Sequence, residues 1–298
     1  MEIAVTGAHG LIGSALIAKL EQSGHRVARM VRTQPPPDSP DIFWDPEKAY
    51  VDNTKLSGKD AVVHLAGETI SKRWTPDQKR SIQWSRTRGT QLIAEAVRQA
   101  AIPPKVLISA SAIGYYGDRG SEMLRETSAP GTGFLAEVCR DWEASTEVAS
   151  RAGIRVVHLR TGIVLSKKGG ALAQMLPPFR AGFGGVVGSG KQYMSWIALD
   201  DHIAAIVHTI QTHSLRGAVN LVAPNAATNR QFTKTLGKVL GRPTIFPLPG
   251  FAVRLIFGEM GKELLLSSQR VEPVQLLTSG FSFKYPQLEP ALRHVLSQ

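Results

Sequence analysis

The chain has 298 residues, 43% hydrophobic and 20% charged, which suits one large globular domain or a domain with a smaller partner. Lys and Arg outnumber Asp and Glu by 35 to 24, and the net charge of +11 favours anionic partners; the basic residues form no arginine-rich run with interleaved aromatics, so nucleic acid is not expected among them. Cys139, the only cysteine, excludes an intrachain disulfide and a cysteine metal cluster, and no apolar stretch approaches the ~18 residues of a membrane helix.

Residues 3–5 form an apolar run too short for a helix and right for a buried strand. Gly7, Gly10 and Gly13 follow, and Leu11, Ile12, Ala15, Leu16 and Leu20 then recur at helical spacing, with Gly24 placed to end the helix. In a strand–turn–helix of this kind the first glycine allows the turn. The second lets a pyrophosphate approach the backbone, and the third lets helix and strand pack closely. The helix N-terminus then faces the phosphates. Dinucleotide binding is the expectation. Residues 25–31 read as a second strand ending at Arg32. NAD-selective folds place an acidic residue here for the ribose 2′-hydroxyl, but this chain has no carboxylate until Asp38. A guanidinium suits a 2′-phosphate, so NADP(H) is favoured over NAD(H).

Pro35, Pro36, Pro37 and Pro40 mark a loop, and residues 42–44 a short edge strand. Residues 61–65 are a buried strand that turns at Ala66-Gly67-Glu68, and Lys72-Arg73-Trp74 lies in a loop able to cap a ligand. A long helix spans 77–101, stopped by Pro103-Pro104. A strand at 106–109 runs into the stretch holding Ser111, Tyr115 and Tyr116, a helix covers 134–149 with Cys139 as a core thiol, and a strand at 155–159 ends at Arg160. Strands alternating with helices imply an α/β protein with a doubly wound parallel sheet. Beyond residue 166, Gly169-Gly170, Pro177-Pro178 and the glycines of 182–190 interrupt regular structure. A strand then enters a helix over 196–208 with Asp200-Asp201 as N-cap, a strand at 218–222 returns to the first sheet, and a helix at 232–240 ends at Gly241. The expected division is 1–166 for the nucleotide-binding part, 167–249 for a smaller substrate-side region and 250–298 for a mostly helical C-terminal extension. With a strand beginning at once and no leader before it, the expectation is a cytoplasmic monomer or homodimer acting on a small molecule, without metal or membrane partners.

Several motifs together resemble the extended short-chain dehydrogenase/reductases with their Rossmann-type fold. These are Thr6-Gly7 with Gly10 and Gly13, His64-Leu65-Ala66-Gly67, Ser111 ahead of Tyr116-Gly117-Asp118, Leu159-Arg160, and Gly188, Gly190, Gln192 and Trp196-Ile197 before Asp200-Asp201. Glu68, Lys72 to Thr75, Ser85-Arg86 and Arg160-Thr161-Gly162 bring the chain closer to the "epimerase family protein" branch of NAD-dependent epimerase/dehydratase-like proteins. The resemblance implies that Gly7, Gly10, Leu11, Ile12 and Gly13 hold the pyrophosphate and that Val31 and Arg32 flank the adenosine ribose. It further implies that Leu65, Ala66 and Gly67 line the adenine path, that Arg86 stands near the cofactor where relatives carry an asparagine, and that Val164 passes the nicotinamide.

The same resemblance exposes a departure. Ordinary members use Tyr-x-x-x-Lys for proton transfer. None of the five tyrosines here, at 50, 115, 116, 193 and 285, has lysine four residues on, and Phe134 and Val138 take the places of the pair. The remaining catalytic candidates are Ser111, Tyr115 and Tyr116, with Lys72 or Arg73 supplying a cation beside Tyr115; the tyrosines also suit packing against the nicotinamide. Lys72, Arg73, Gln192 and Trp196 are the expected substrate-side residues. Two readings stand: an NADP(H)-using oxidoreductase or epimerase acting on a carbonyl or sugar-like molecule, and a non-catalytic NADP(H)-binding sensor or scaffold.

Overall fold

Alternation along the first strand sets the layers. In the computed structural model, which describes residues 1–297, Ile3 and Val5 face one side of β1 (Glu2–Val5) and Ala4 the other, and all three are buried. On the first side, Ile3, Val5, Val63, Ile108, Leu159 and Val219 pack against Leu16, Ile17 and Leu20 of α1 (Leu11–Gln22). On the second, Ala4, Met30, Val62 and Leu107 meet Leu92, Ile93 and Val97 of α2 (Pro76–Gln99), capped by Thr75.

The sheet continues through β2 (Arg26–Val31), β3 (Ile42–Asp45), β4 (Tyr50–Val51), β5 (Ala61–His64), β6 (Val106–Ala112), β7 (Arg155–Thr161) and β8 (Gly217–Leu221). Its spatial order is β8-β7-β6-β5-β1-β2-β3-β4, parallel throughout except for the β3–β4 edge. This is a Rossmann-type α/β fold. The strand at Gly217–Leu221 pairs with β7 in the main sheet, and Gly24, at φ 78°, follows the end of α1.

Three expectations need correction. The helix at 134–149 is two pieces, α3 (Phe134–Ala144) and a turn at Glu147–Arg151. Between them the hydroxyls of Ser145 and Thr146 donate to the Asp141 and Glu143 carbonyls, offering the backbone an alternative to continued helix. The glycine- and proline-rich stretch after 166 contains a helix, α4 (Gly170–Arg180), with Pro177 and Pro178 inside it; burial of Leu172, Leu176 and Phe179 outweighs the lost backbone donors. Asp200 and Asp201 do not cap α5 (Leu199–Gln211), whose N-cap is Ala198. The Asp201 carboxylate instead accepts the N–H groups of Lys284 and Tyr285, both at 2.8 Å, and fastens the C-terminal segment.

After α6 (Asn229–Leu240), with its Thr228–Gln231 capping box and left-handed Gly241, α7 (Gly250–Gly261) bends at Gly258 and runs into a π-turn at Lys262–Leu266. Beyond it Arg270–Val271 pairs with Met123–Leu124, a short helix at Val274–Thr278 follows, and its Leu276 joins the core under β8. The last helix, α8 (Leu288–Ser297), buries Ala291, Leu292 and Val295 beside Trp196, Phe232 and Leu236. The tail thus joins two separate clusters, the one under β8 and the one around Trp196.

Candidate functional site

The parallel register carries the carboxyl ends of β1, β2, β5, β6 and β7 to one edge of the sheet. Val5 lies opposite Arg29 and Val63, His64 opposite Ser109, and Ser111 opposite Arg160. The glycine turn therefore sits between Val31-Arg32 on one side and Leu65-Ala66-Gly67 on the other, where ligands of open α/β sheets bind.

The three glycines have different reasons. Gly7 takes φ +66°, which disfavours a side chain. A Cβ at Gly13 would lie 2.2 Å from the Gly7 carbonyl oxygen, so only glycine lets α1 pack this closely. Gly10 has a weaker reason. Its φ −75° and ψ 168° suit any residue, and a Cβ there would meet one protein atom, the Gly7 oxygen, at 3.3 Å. Leu11 and Ile12 open α1 beside it, and Gly169, just past the strand carrying Val164, comes against Leu11.

Thr6 joins this turn to the next one. Its Oγ1 accepts the N–H groups of Leu65 at 2.9 Å and Ala66 at 3.2 Å, which leaves its proton for His64 Nδ1 at 2.8 Å. His64 is fully buried, and burial lowers its pKa to about 4. Arg86 braces the same turn from α2: Nη1 donates to the Glu68 and Ile82 carbonyls, its guanidinium lies beside Gly67, and it stacks on Trp142. Burial lowers its pKa. Arg32 is exposed and forms no ion pair among the described residues.

At the ends of β6 and β7 a polar cluster forms that no local motif announces. Ser111 Oγ donates to Glu143 Oε1 at 2.7 Å, and the same carboxylate holds Arg160 bidentately, Nε to Oε1 and Nη2 to Oε2, both at 2.8 Å. Arg160 also donates through Nη1 to the Tyr116 hydroxyl at 3.0 Å and the Glu126 carbonyl at 3.2 Å, and its guanidinium lies 3.5 Å from the centre of the Tyr115 ring. Burial opposes its charge, but the Glu143 carboxylate prevails and raises its pKa.

These contacts sort the sequence candidates. Tyr116 is fully buried, its hydroxyl donates to Asn220 Oδ1 at 2.7 Å, and burial pushes its pKa up to about 12; it is a packing and hydrogen-bonding residue. Ser111 and Tyr115 do come together, through Glu143 and Arg160. The cation beside Tyr115 is Arg160, not Lys72 or Arg73: Lys72 pairs with Glu68 at 3.2 Å, and Arg73 is exposed in the same loop. Trp196 is a core residue, fully buried, with Nε1 donating to the Asn225 carbonyl. Gln192 is also buried, and Nε2 ties the Val187 carbonyl to that of Leu265. Cys139 is the core thiol expected, and burial raises its pKa to about 12.

Val138 is buried, whereas Phe134 opens α3 and meets Trp74 edge-on with Lys79 Nζ 4.4 Å from its ring. The tail supplies two carboxylates here. Glu263 accepts the N–H groups of Phe134 and Leu135 at 3.0 Å each, capping α3, and Glu259 pairs with Lys79 at 2.9 Å. Sequence reasoning missed Glu143, Glu259, Glu263 and Lys79, whose partners lie on distant segments.

A parallel sheet whose first strand passes through a glycine turn into a helix, with Ser111 and Tyr115 on the same edge, defines a Rossmann-type protein of the short-chain dehydrogenase class. More narrowly, the chain belongs to the NAD-dependent epimerase/dehydratase family, which it matches over residues 3–221, and residues 248–295 match a domain of unknown function, DUF1731. It is 43% identical over 297 residues to the epimerase family protein Mb2239 of Mycobacterium bovis, with 99% of this chain and 98% of that protein covered. The crystal structure of human epimerase family protein SDR39U1 (isoform 2) with NADPH superposes with a TM-score of 0.92 at 35% identity, covering both chains fully. That of a nucleoside-diphosphate sugar epimerase from Corynebacterium glutamicum does so at 0.81 and 38% identity, covering 99% of this chain and 58% of that one.

Proposed function

We propose that the protein binds NADP(H) at the glycine turn and acts as an oxidoreductase or epimerase-like enzyme on a small carbonyl or sugar-like molecule, without a Tyr-x-x-x-Lys pair. Gly10 carries the reading. The fold demands glycine at 7 and 13 but only crowds a side chain at 10, whose backbone any residue can adopt; a close-approaching ligand gives a bare backbone at that point a further reason. The human relative crystallised with NADPH supports the choice of dinucleotide, as do exposed Arg32 and the lack of a carboxylate from Val31 to Pro37, at the end of β2.

On this reading the turn holds the pyrophosphate, Arg32 meets the 2′-phosphate, and Leu65 to Gly67, fixed by Thr6 and Arg86, line the adenosine. The bound cofactor supplies a hydride donor or acceptor. Ser111 orients the substrate with its hydroxyl lone pairs, since its proton is given to Glu143. Tyr115 donates a proton from its phenol, its ring held in place by Arg160. Arg160, already matched by Glu143, serves as a support for that ring.

Phe134 and Val138, together with the Glu263 carboxylate placed on the α3 N-terminus, favour a second reading, a cofactor-binding protein without turnover. Calorimetric titration of NADPH against the parent and Gly10→Val, with circular dichroism as fold control, tests the first step. The branched side chain abolishes binding while the fold survives; retained affinity places the phosphates elsewhere. NADPH oxidation across a panel of reactive carbonyls then separates the two readings.

A further inference from the structure

Charge in this chain is unevenly placed. Residues 162–258 carry ten Lys and Arg against two Asp, most of the net +11, and no acidic residue occurs between Asp201 and Glu259. The same region holds six of the exposed large apolar side chains: Phe183, Ile245, Phe246, Phe251, Leu255 and Ile256, each 51–81% exposed. They belong to a joined surface. The loop after α4 pairs with the loop before α7 through Gly188 N to Leu248 O at 2.8 Å and Leu248 N to Val186 O at 2.9 Å, and the Phe183 and Phe246 rings are 5.7 Å apart. Phe251, Leu255 and Ile256 follow on α7.

Cations border these side chains. Arg230 and Lys234 line a cleft of ≈ 340 Å³ together with Ile245 and Pro247. Lys234 Nζ is aimed by the Thr244 carbonyl and hydroxyl, at 3.1 and 2.9 Å. Arg254 sits on α7 next to Leu255, and exposed Arg180 and Arg242 lie three residues from Phe183 and Ile245. An exposed apolar cluster of this kind marks an interaction surface.

We propose that this face, residues 180–183 and 242–256 with Arg230 and Lys234, docks the protein peripherally on anionic lipid bilayers. The charge selects the occupant. A second copy would bring an equally basic face against this one, which disfavours self-association. A partner helix seeks a groove, whereas these side chains project outward from two loops and a short helix. Projecting Phe, Leu and Ile bordered by Lys and Arg match the acyl boundary and headgroup phosphates of an acidic membrane. The sequence expectation of no membrane partner rested on the lack of a spanning segment. No helix among the described residues is long and apolar enough to cross a membrane, but interfacial docking needs none.

The test is co-sedimentation of the full chain with vesicles of phosphatidylcholine alone and with added phosphatidylglycerol. The protein partitions onto the acidic vesicles, and high salt reverses it. Arg242→Gln and Arg254→Gln each weaken partitioning about 5-fold, the worth of one cation near such a surface. Phe251→Ser with Leu255→Ser removes it, while circular dichroism and the melting temperature hold. Failure of the parent to bind acidic vesicles overturns the proposal, as does binding indifferent to the Phe251 and Leu255 changes. Concentration-dependent dimerisation in the ultracentrifuge, abolished by the same double substitution, assigns the face to a second copy and equally overturns it.

Discussion

Glu143→Gln is the sharpest probe of the cluster at the ends of β6 and β7. Arg160 and Glu143 are 4% and 11% exposed in their side chains, so the pair is nearly dry and solvent screening is weak. Glutamine keeps the size and one oxygen, but it leaves the Arg160 guanidinium charged without a counterion and offers one acceptor where Ser111 Oγ, Arg160 Nε and Arg160 Nη2 now share two. Breaking one partner of a buried pair costs about 3–5 kcal/mol. At ~2.1 cal/mol/K per residue, the unfolding entropy of a chain this long is about 0.6 kcal/mol/K, so the melting temperature falls by about 5–8 °C. Differential scanning calorimetry reads this directly. The control is Glu147→Gln in the Glu147–Arg151 pair, whose side chains are 60% and 76% exposed and whose loss shifts the midpoint by about 1 °C or less. Replacing both members, Glu143→Leu with Arg160→Met, destabilises less than Glu143→Gln alone, because no charge is then stranded. If Glu143→Gln melts with the exposed control, the carboxylate is not the counterion that holds Arg160, and the account of the cluster is wrong.

The parent binds NADPH at least tenfold more tightly than NADH, since one charge-assisted pair is worth roughly 1.5–3 kcal/mol, and Arg32→Ala erases most of that margin; equal affinities of the parent for the two dinucleotides refute the 2′-phosphate role. His64 and His202 are buried neutral, with pKa values lowered by burial to about 4 and about 3, while the unfolded chain takes up those protons near pH ~6.5. Stability present above pH ~6.5 is therefore lost as pH falls, by up to about 1.4 kcal/mol per pH unit for each histidine; urea unfolding across this range shows a declining midpoint, less steep in His64→Gln, and a flat profile contradicts the burial argument. Tyr115→Phe lowers turnover on a reactive carbonyl by about 10²-fold or more with NADPH affinity unchanged, whereas Tyr116→Phe lowers the melting temperature through its lost bonds to Asn220 and Arg160. The reverse pattern would show that the proton comes from the other tyrosine.

Most of the sheet was legible because each strand is a local signal. Residues 3–5, 61–65 and 106–109 are short apolar runs bounded by turn residues, and both faces of such strands are covered. The reading failed where tertiary contacts overrode local rules. Pro177 and Pro178 argued against a helix that Leu172, Leu176 and Phe179 nonetheless bury. Asp200 and Asp201 looked like caps because acids before a helix usually are, yet Asp201 serves backbone amides more than eighty residues away. The contacts of the tail could not be read, since its partners, Met123–Leu124 and the Trp196–Phe232 cluster, lie far from it in sequence.

The site divides along the same line. The glycine turn is written in consecutive residues, so its glycines and their neighbours were visible at once, and the structure adds which glycines the fold itself requires. Ser111 and Tyr115 were visible by their place after a strand. What selects between Tyr115 and Tyr116 was not, because the two differ only in which side of a short 3₁₀ turn they occupy. One points its hydroxyl at Asn220, 104 residues on, and the other lays its ring on Arg160. Arg160 in turn is fixed by Glu143, an ordinary-looking acid in an amphipathic helix. The lysine of the usual pair has no successor on α3, and the cation against the tyrosine comes from β7 instead. A scan for a tyrosine with a lysine four residues later tests one helix face. The arrangement here is made by parallel register, Ser111 opposite Arg160, and register between strands separated by a helix leaves no mark in a local motif.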